Sequence, residues 1–230
     1  MPIEHLFATG AQAAADIAAR IATILSDAVA QRGVASIALS GGRSPRPVLE
    51  ALSQVDLDWG KVVVTLVDER WVAPDNADSN EKLVRDTLLR GAAAQARFVP
   101  MKTPAANAYA GQAAVEAAFA DLPWPLDIIL LGMGDDGHTA SLFPEGKELA
   151  EGLTSQALTI AATPPVAPHE RMSLTAHGIS QSRHIFLQIS GVGKKAVYDR
   201  ALAGGAVEEL PIRLALLQDK APVEVWIAEI

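Results

Sequence analysis

Cysteine is absent from the 230 residues, which excludes disulfides and thiolate chemistry. Aromatic residues make up only 5%, so the core must come from the Ala, Val, Leu and Ile that dominate a 50% hydrophobic composition. That mixture is ordinary for helices packed on a parallel sheet. No apolar run approaches the length of a membrane span, and no basic region followed by a continuous apolar segment opens the chain. A cytoplasmic protein without a membrane partner is therefore expected. Positive charge is also short, 19 Lys and Arg against 27 Asp and Glu for a net charge of −8. This argues against a general nucleic-acid surface but not against a small anionic ligand, because a few cations in a cleft can set the local field. No G-x-S-x-G elbow occurs, and none of the five histidines has metal-ligand spacing. A serine nucleophile, a catalytic zinc and a bound cofactor are not expected.

What is present reads as strands alternating with helices. The stripe Ile17, Ile21, Ile24, Leu25 and Ala28 predicts an amphipathic helix over 11–31, ended by Gly33. A buried strand over 34–39 leads into Ser40-Gly41-Gly42-Arg43-Ser44-Pro45 and a helix over 46–52. The run 61–67 is a second buried strand, delivering Asp68-Glu69-Arg70-Trp71 at its end. Asp78 and Glu81 predict a capping box for a helix running to Leu89. A short strand near 97–101 and an Ala-rich helix over 107–119 precede the apolar strand 126–131. Beyond it lie strands over 158–161, 184–189 and 223–227, a Pro-rich surface connection at 163–168 and a helix ending near Ala203. The pattern predicts one doubly wound, Rossmann-like α/β domain over 1–230, a mostly parallel central sheet flanked by helices. With no large apolar helix face left over, a monomer is expected.

The chain is organised around Gly132-Met133-Gly134-Asp135-Asp136-Gly137-His138-Thr139-Ala140-Ser141-Leu142-Phe143-Pro144, which follows the 126–131 strand. The carboxyl ends of strands are where ligands bind in open α/β sheets. Gly132, Gly134 and Gly137 match G-x-G-x-x-G literally, but Asp135 and Asp136 would face a pyrophosphate and Pro144 limits any helix after the turn. A plain tight turn with a solvated Asp pair is the other simple alternative. Three strand ends thus carry polar clusters, and Arg171 and Lys194 add cations on later loops. Glycines and cations suit a phosphate monoester, and an imidazole beside a carboxylate suits proton transfer near neutral pH.

The segments Ser40-Gly41-Gly42-Arg43-Ser44-Pro45, Val67-Asp68-Glu69-Arg70-Trp71-Val72, Ser79-Asn80-Glu81, the 132–144 stretch and Gly191-Val192-Gly193-Lys194 resemble the 6-phosphogluconolactonase family, in order along the chain. The related glucosamine-6-phosphate deaminase and isomerase family shares the Gly-Gly loop, the Asp-Glu pair and the Asp-Gly-His core. It typically continues with Ile-Ala-Phe-Asn-Glu-Pro where this chain has Thr139-Ala140-Ser141-Leu142-Phe143-Pro144. The resemblance implies hydrolysis of 6-phospho-D-glucono-1,5-lactone, with Gly41, Gly42, Arg43, Ser44, Arg171 and Lys194 around the phosphate. For that reaction His138, oriented by Asp136 or a backbone carbonyl, is expected to be the base, with Arg70 facing the oxyanion or sugar hydroxyls and Asp68 positioning Arg70 or the substrate. An aminosugar-phosphate isomerase or deaminase and a non-catalytic sugar-phosphate sensor are the alternatives.

Overall fold

A computed structural model describes residues 1–228; residues 229 and 230, included in the expected single domain, lie outside the description. Among the described residues ten strands are formed: β1 (Ile3–Phe7), β2 (Ala35–Leu39), β3 (Val62–Leu66), β4 (Asp68–Arg70), β5 (Arg97–Phe98), β6 (Leu126–Leu131), β7 (Thr159–Ala162), β8 (Arg171–Leu174), β9 (Ser182–Ser190) and β10 (Val223–Ala228). The α-helices are α1 (Gly10–Arg32), α2 (Arg46–Leu52), α3 (Asn80–Thr87), α4 (Ala108–Ala120), α5 (Leu149–Thr154), α6 (Ala176–Ser180), α7 (Val192–Leu202) and α8 (Arg213–Leu216). None of the described helices is long and apolar enough to cross a membrane.

Seven strands make one sheet in the order β1-β10-β9-β6-β2-β3-β5, and every pairing in it is parallel. Strands β2, β3, β6 and β10 are buried along their whole length, as their largely apolar runs require in a sheet covered on both faces. Helix α1 illustrates how the layers form. Thr9 caps it by accepting from the Gln12 N–H, Gly33 ends it at φ 75°, and Ile17, Ile21, Ile24, Leu25 and Ala28 are buried. From β2 the chain first moves outward to β3 and β5, then returns to β6 on the other side of β2. The sheet's direction of winding therefore reverses between β2 and β6, the place where an α/β sheet opens a crevice at its carboxyl edge.

A second sheet, order β4-β8-β7, is antiparallel. Val67 links the two: its N–H donates to Leu39 O at 3.0 Å, and its own carbonyl accepts from the Leu174 N–H at 2.8 Å. The sequence pattern does not reveal this sheet, because β4 is three charged residues and β8 has no clear alternation. It also does not reveal β1, a half-exposed edge strand. The expected capping box is corrected as well. The cap of α3 is Ser79, accepting from Lys82 N, whereas Asp78 bonds outward through its carbonyl to Arg70 and its carboxylate to His169.

Candidate active site

A cleft of about 320 Å³ opens at the carboxyl edge of the parallel sheet, at the reversal between β2 and β6. The loop after β2 forms one wall with Ser40, Gly41, Gly42, Arg43 and Ser44; Asp68, Arg70 and Asn80 form a second; Gly132 to Asp135 with His138 form a third; and Gln188 and Lys194 complete it. Four chain segments far apart in sequence thus converge because parallel strands bring every loop that follows them to one edge.

The loop after β6 is shaped by backbone bonds. Gly134 N–H donates to His138 O at 2.9 Å and Gly137 N–H to Gly134 O at 3.1 Å, while the Thr139 hydroxyl donates to Gly132 O at 2.9 Å. A side chain at Gly134 would put its Cβ 2.1 Å from His138 Nδ1 and 2.4 Å from Asp136 Oδ1, so only glycine lets the imidazole–carboxylate pair close over the turn. The next helix, α5, begins at Leu149, so no helix amino terminus follows the glycines, as a dinucleotide site requires. The segment before α8 braces the turn from behind: Ile212 N–H donates to Gly137 O at 2.9 Å.

His138 Nδ1 lies 2.6 Å from Asp136 Oδ1, and the His138 backbone N–H donates to the same oxygen at 3.1 Å. An ionised carboxylate only accepts, so Nδ1 carries a proton whether the ring is neutral or charged, and in the neutral imidazole Nε2 keeps the lone pair. Burial works to raise the Asp136 carboxyl, but the bonds and charge of His138 outweigh it and hold it below its ordinary value. Phe143 packs on the imidazole with ring centroids 4.4 Å apart. Asp136 itself is not part of the cleft wall; it reaches the cleft through His138.

The two acids of β4 are treated oppositely. Glu69 is 1% exposed and accepts from the N–H groups of Arg70, Asn80 and Glu81 and from the Ser79 hydroxyl, at 2.7 to 3.0 Å. It holds the start of α3 in place; burial pushes its carboxyl up against the opposing pull of these bonds. Asp68 faces the cleft, accepting from Ser141 Oγ at 2.6 Å, and its carbonyl accepts from Asn80 Nδ2 at 2.9 Å. Asn80 closes tightly over the β2 loop: a Cβ on Gly41 would sit 1.8 Å from Asn80 Oδ1.

Of the cations, Arg43, Arg70 and Lys194 line the cleft. Lys194 Nζ donates to Met133 O and lies 3.6 Å from Asp135, and Arg70 donates to Asp78 O. Arg171 is located differently from the expectation that it lines an anion site. It is the register partner of Arg70 on β8, 7% exposed, with Nε and Nη1 bound to nothing among the described residues, and it is not part of the cleft wall. Burial holds its guanidinium below its ordinary value, with the Asp68 charge working the other way. Helix α2, which follows the glycine loop, has seven residues and no side-chain cap bond.

Four wall or support residues were not singled out from the sequence: Ser141, Asn80, Ser40 and Gln188. Asn80 and Ser141 sit inside motifs already noted. Gln188 had one signal of its own, a lone amide in the otherwise apolar run from Ile185 to Ile189.

The family model described as glucosamine-6-phosphate isomerases/6-phosphogluconolactonase matches residues 8–226. A 6-phosphogluconolactonase of Pseudomonas putida is 45% identical over 226 residues, covering 96% of this chain and 91% of that protein. Its counterpart in Rhizobium meliloti is 42% identical, covering 96% and 97%. The crystal structure of a 6-phosphogluconolactonase from Shewanella baltica superposes with a TM-score of 0.98 at 41% identity, covering 99% of this chain and 98% of that one.

Proposed function

The chain belongs to the glucosamine-6-phosphate isomerase/6-phosphogluconolactonase family, and from that premise we propose that it is a 6-phosphogluconolactonase, hydrolysing 6-phospho-D-glucono-1,5-lactone to 6-phospho-D-gluconate in the second step of the oxidative pentose phosphate pathway. The observation that carries the reaction is the His138–Asp136 pair at 2.6 Å, whose imidazole faces the same cleft as Arg43, Arg70 and Lys194.

In this mechanism the phosphate occupies the Gly41–Gly42–Arg43–Ser44 side of the cleft, with Lys194 adding charge and Arg171 contributing field from its buried place on β8. His138 Nε2 takes a proton from a water molecule attacking the lactone carbonyl. Negative charge then develops on the carbonyl oxygen, where the Arg70 guanidinium stabilises it. As the tetrahedral intermediate collapses, the bond from C1 to the ring oxygen breaks, and the imidazolium returns its proton to that oxygen. Asp136 stays ionised throughout, fixing the tautomer and stabilising the imidazolium. Asp68, held by Ser141 and Asn80, positions Arg70 or a sugar hydroxyl. The protein is taken to act as a monomer in the cytoplasm, which size-exclusion chromatography and cell fractionation test.

The discriminating experiment offers purified protein two substrates. Freshly generated 6-phosphogluconolactone should disappear faster than its spontaneous decay, with product read by coupling to 6-phosphogluconate dehydrogenase, and glucosamine 6-phosphate should release no ammonia. Ammonia release without lactone hydrolysis would move the chain to the deaminase reaction.

A further inference from the structure

The floor of the cleft holds one polar side chain that the mechanism leaves unused. Gln188 lies near the carboxyl end of β9, opposite Trp226 of β10 in register, between the apolar residues Leu187 and Ile189. Its side chain is almost wholly enclosed, with the residue 7% exposed, yet it forms part of the cleft wall. Its Oε1 is buried and has no hydrogen-bond partner among the described residues. On the far side of β6, Ser40 is likewise 6% exposed and faces the same cleft. Between them stands Gly132, where even an added Cβ would come within 3.7 Å of Ser40 Oγ.

A buried acceptor without a donor destabilises the folded protein, and such a group in a cleft points to a ligand that supplies the missing bond. We propose that Gln188 is a specificity-determining residue whose amide oxygen accepts a hydrogen bond from a ring hydroxyl of the substrate. The proposal rests on the lactonase reading and deepens it. The chemistry of the lactone narrows the choice: its phosphate dianion, its carbonyl oxygen and its ring oxygen can only accept, so the sugar hydroxyls are the only donors it can offer to Oε1. The amide N–H₂ can meanwhile donate to the same or a neighbouring hydroxyl. Gln188 would thus separate a polyhydroxylated sugar lactone from a phosphorylated lactone lacking that hydroxyl, a discrimination that unpaired buried polar groups enforce strongly.

The test replaces the amide by an apolar side chain, Gln188→Leu, with Gln188→Met as the volume-matched variant should the first fold poorly. Each protein is assayed with 6-phosphogluconolactone and its 2-deoxy, 3-deoxy and 4-deoxy analogues. Wild type should disfavour one analogue, and the variants should lose about 5- to 150-fold in kcat/KM on the parent lactone while treating it and that analogue alike. Inhibition by inorganic phosphate should stay within about twofold of wild type. Without ligand the variants should melt at a higher temperature, because the unsatisfied oxygen is gone. Unchanged kcat/KM across the panel would overturn the proposal, as would a lower melting temperature with uniform loss on all four lactones. Wild type that accelerates no lactone would instead overturn the lactonase reading itself.

Discussion

The two ends of β6 each present a carboxylate beside nitrogen bases, and they behave oppositely. At the amino end, the Asp127 side chain is 5% exposed, with Arg32 and Arg183 on one oxygen and the Ser36 N–H on the other at 2.9 Å. Beyond the carboxyl end, the Asp136 side chain is 50% exposed and His138 31% exposed, with the imidazole lining the cleft and its Nε2 outside the bond to Asp136. Burial raises the Asp127 carboxyl even though its cations oppose it, whereas His138 brings Asp136 down. A charge whose valences are all filled by the protein fastens strands together; a pair with one nitrogen left over can move a proton.

Substitutions at the two ends should therefore separate catalysis from stability. The largest effect is expected for His138→Ala, which should lose about 10²–10⁴ in kcat while melting within a few degrees of wild type. Next comes Gly134→Ala, whose Cβ would collide with the imidazole; displacing a catalytic group by about 1 Å costs on the order of 10² in rate, measurable with the same coupled assay. At the other end, Asp127→Ala leaves the Ser36 N–H unpaired, a loss of about 1–3 kcal/mol. Its melting temperature should fall by about 2–4 °C for each kcal/mol, with kcat per folded molecule unchanged. A kcat loss there without destabilisation would break the contrast.

The smallest effect is one of pH. Because the Asp136 carboxyl is held below its ordinary 3.8, the unfolded chain takes up its proton first as pH falls. The stability it contributes is then fully present above 3.8 and lost only as pH drops through the lower, folded value. Melting curves of wild type and Asp136→Asn should accordingly stay apart down to about pH 3.8 and converge below it. Convergence already at pH 5 to 6 would mean that His138 does not hold the carboxylate in the folded protein.

How much of this could be read beforehand follows the same physics. The inner parallel strands were legible because burial on both faces demands largely apolar runs, as in 62–66 and 128–131, whereas the exposed edge strand β1 was not. Their order across the sheet was not, since nothing local in β2 says that β6 will return beside it. The 132–144 loop announced itself through His138 beside Asp136 and the small hydroxyl residues that follow, which a mere turn does not require. The antiparallel sheet was hidden, and with it the true place of Arg171, because Asp68-Glu69-Arg70 carries no hydrophobic alternation to mark a strand. Within that triplet, only the fold distinguishes Glu69, saturated by four donors, from Asp68, which looks into the cleft. Gln188 stood in plain view as a polar residue in a buried strand, but its unfilled oxygen becomes evident only once its neighbours are known.

The most direct measurement follows the decay of freshly generated 6-phosphogluconolactone at neutral pH, with no protein, with wild type and with His138→Ala at equal folded concentration. Wild type should open the ring far faster than the spontaneous reaction, and the variant should return the rate close to background. Equal acceleration by both proteins would contradict the assignment of the imidazole at the carboxyl end of β6 as the catalytic base.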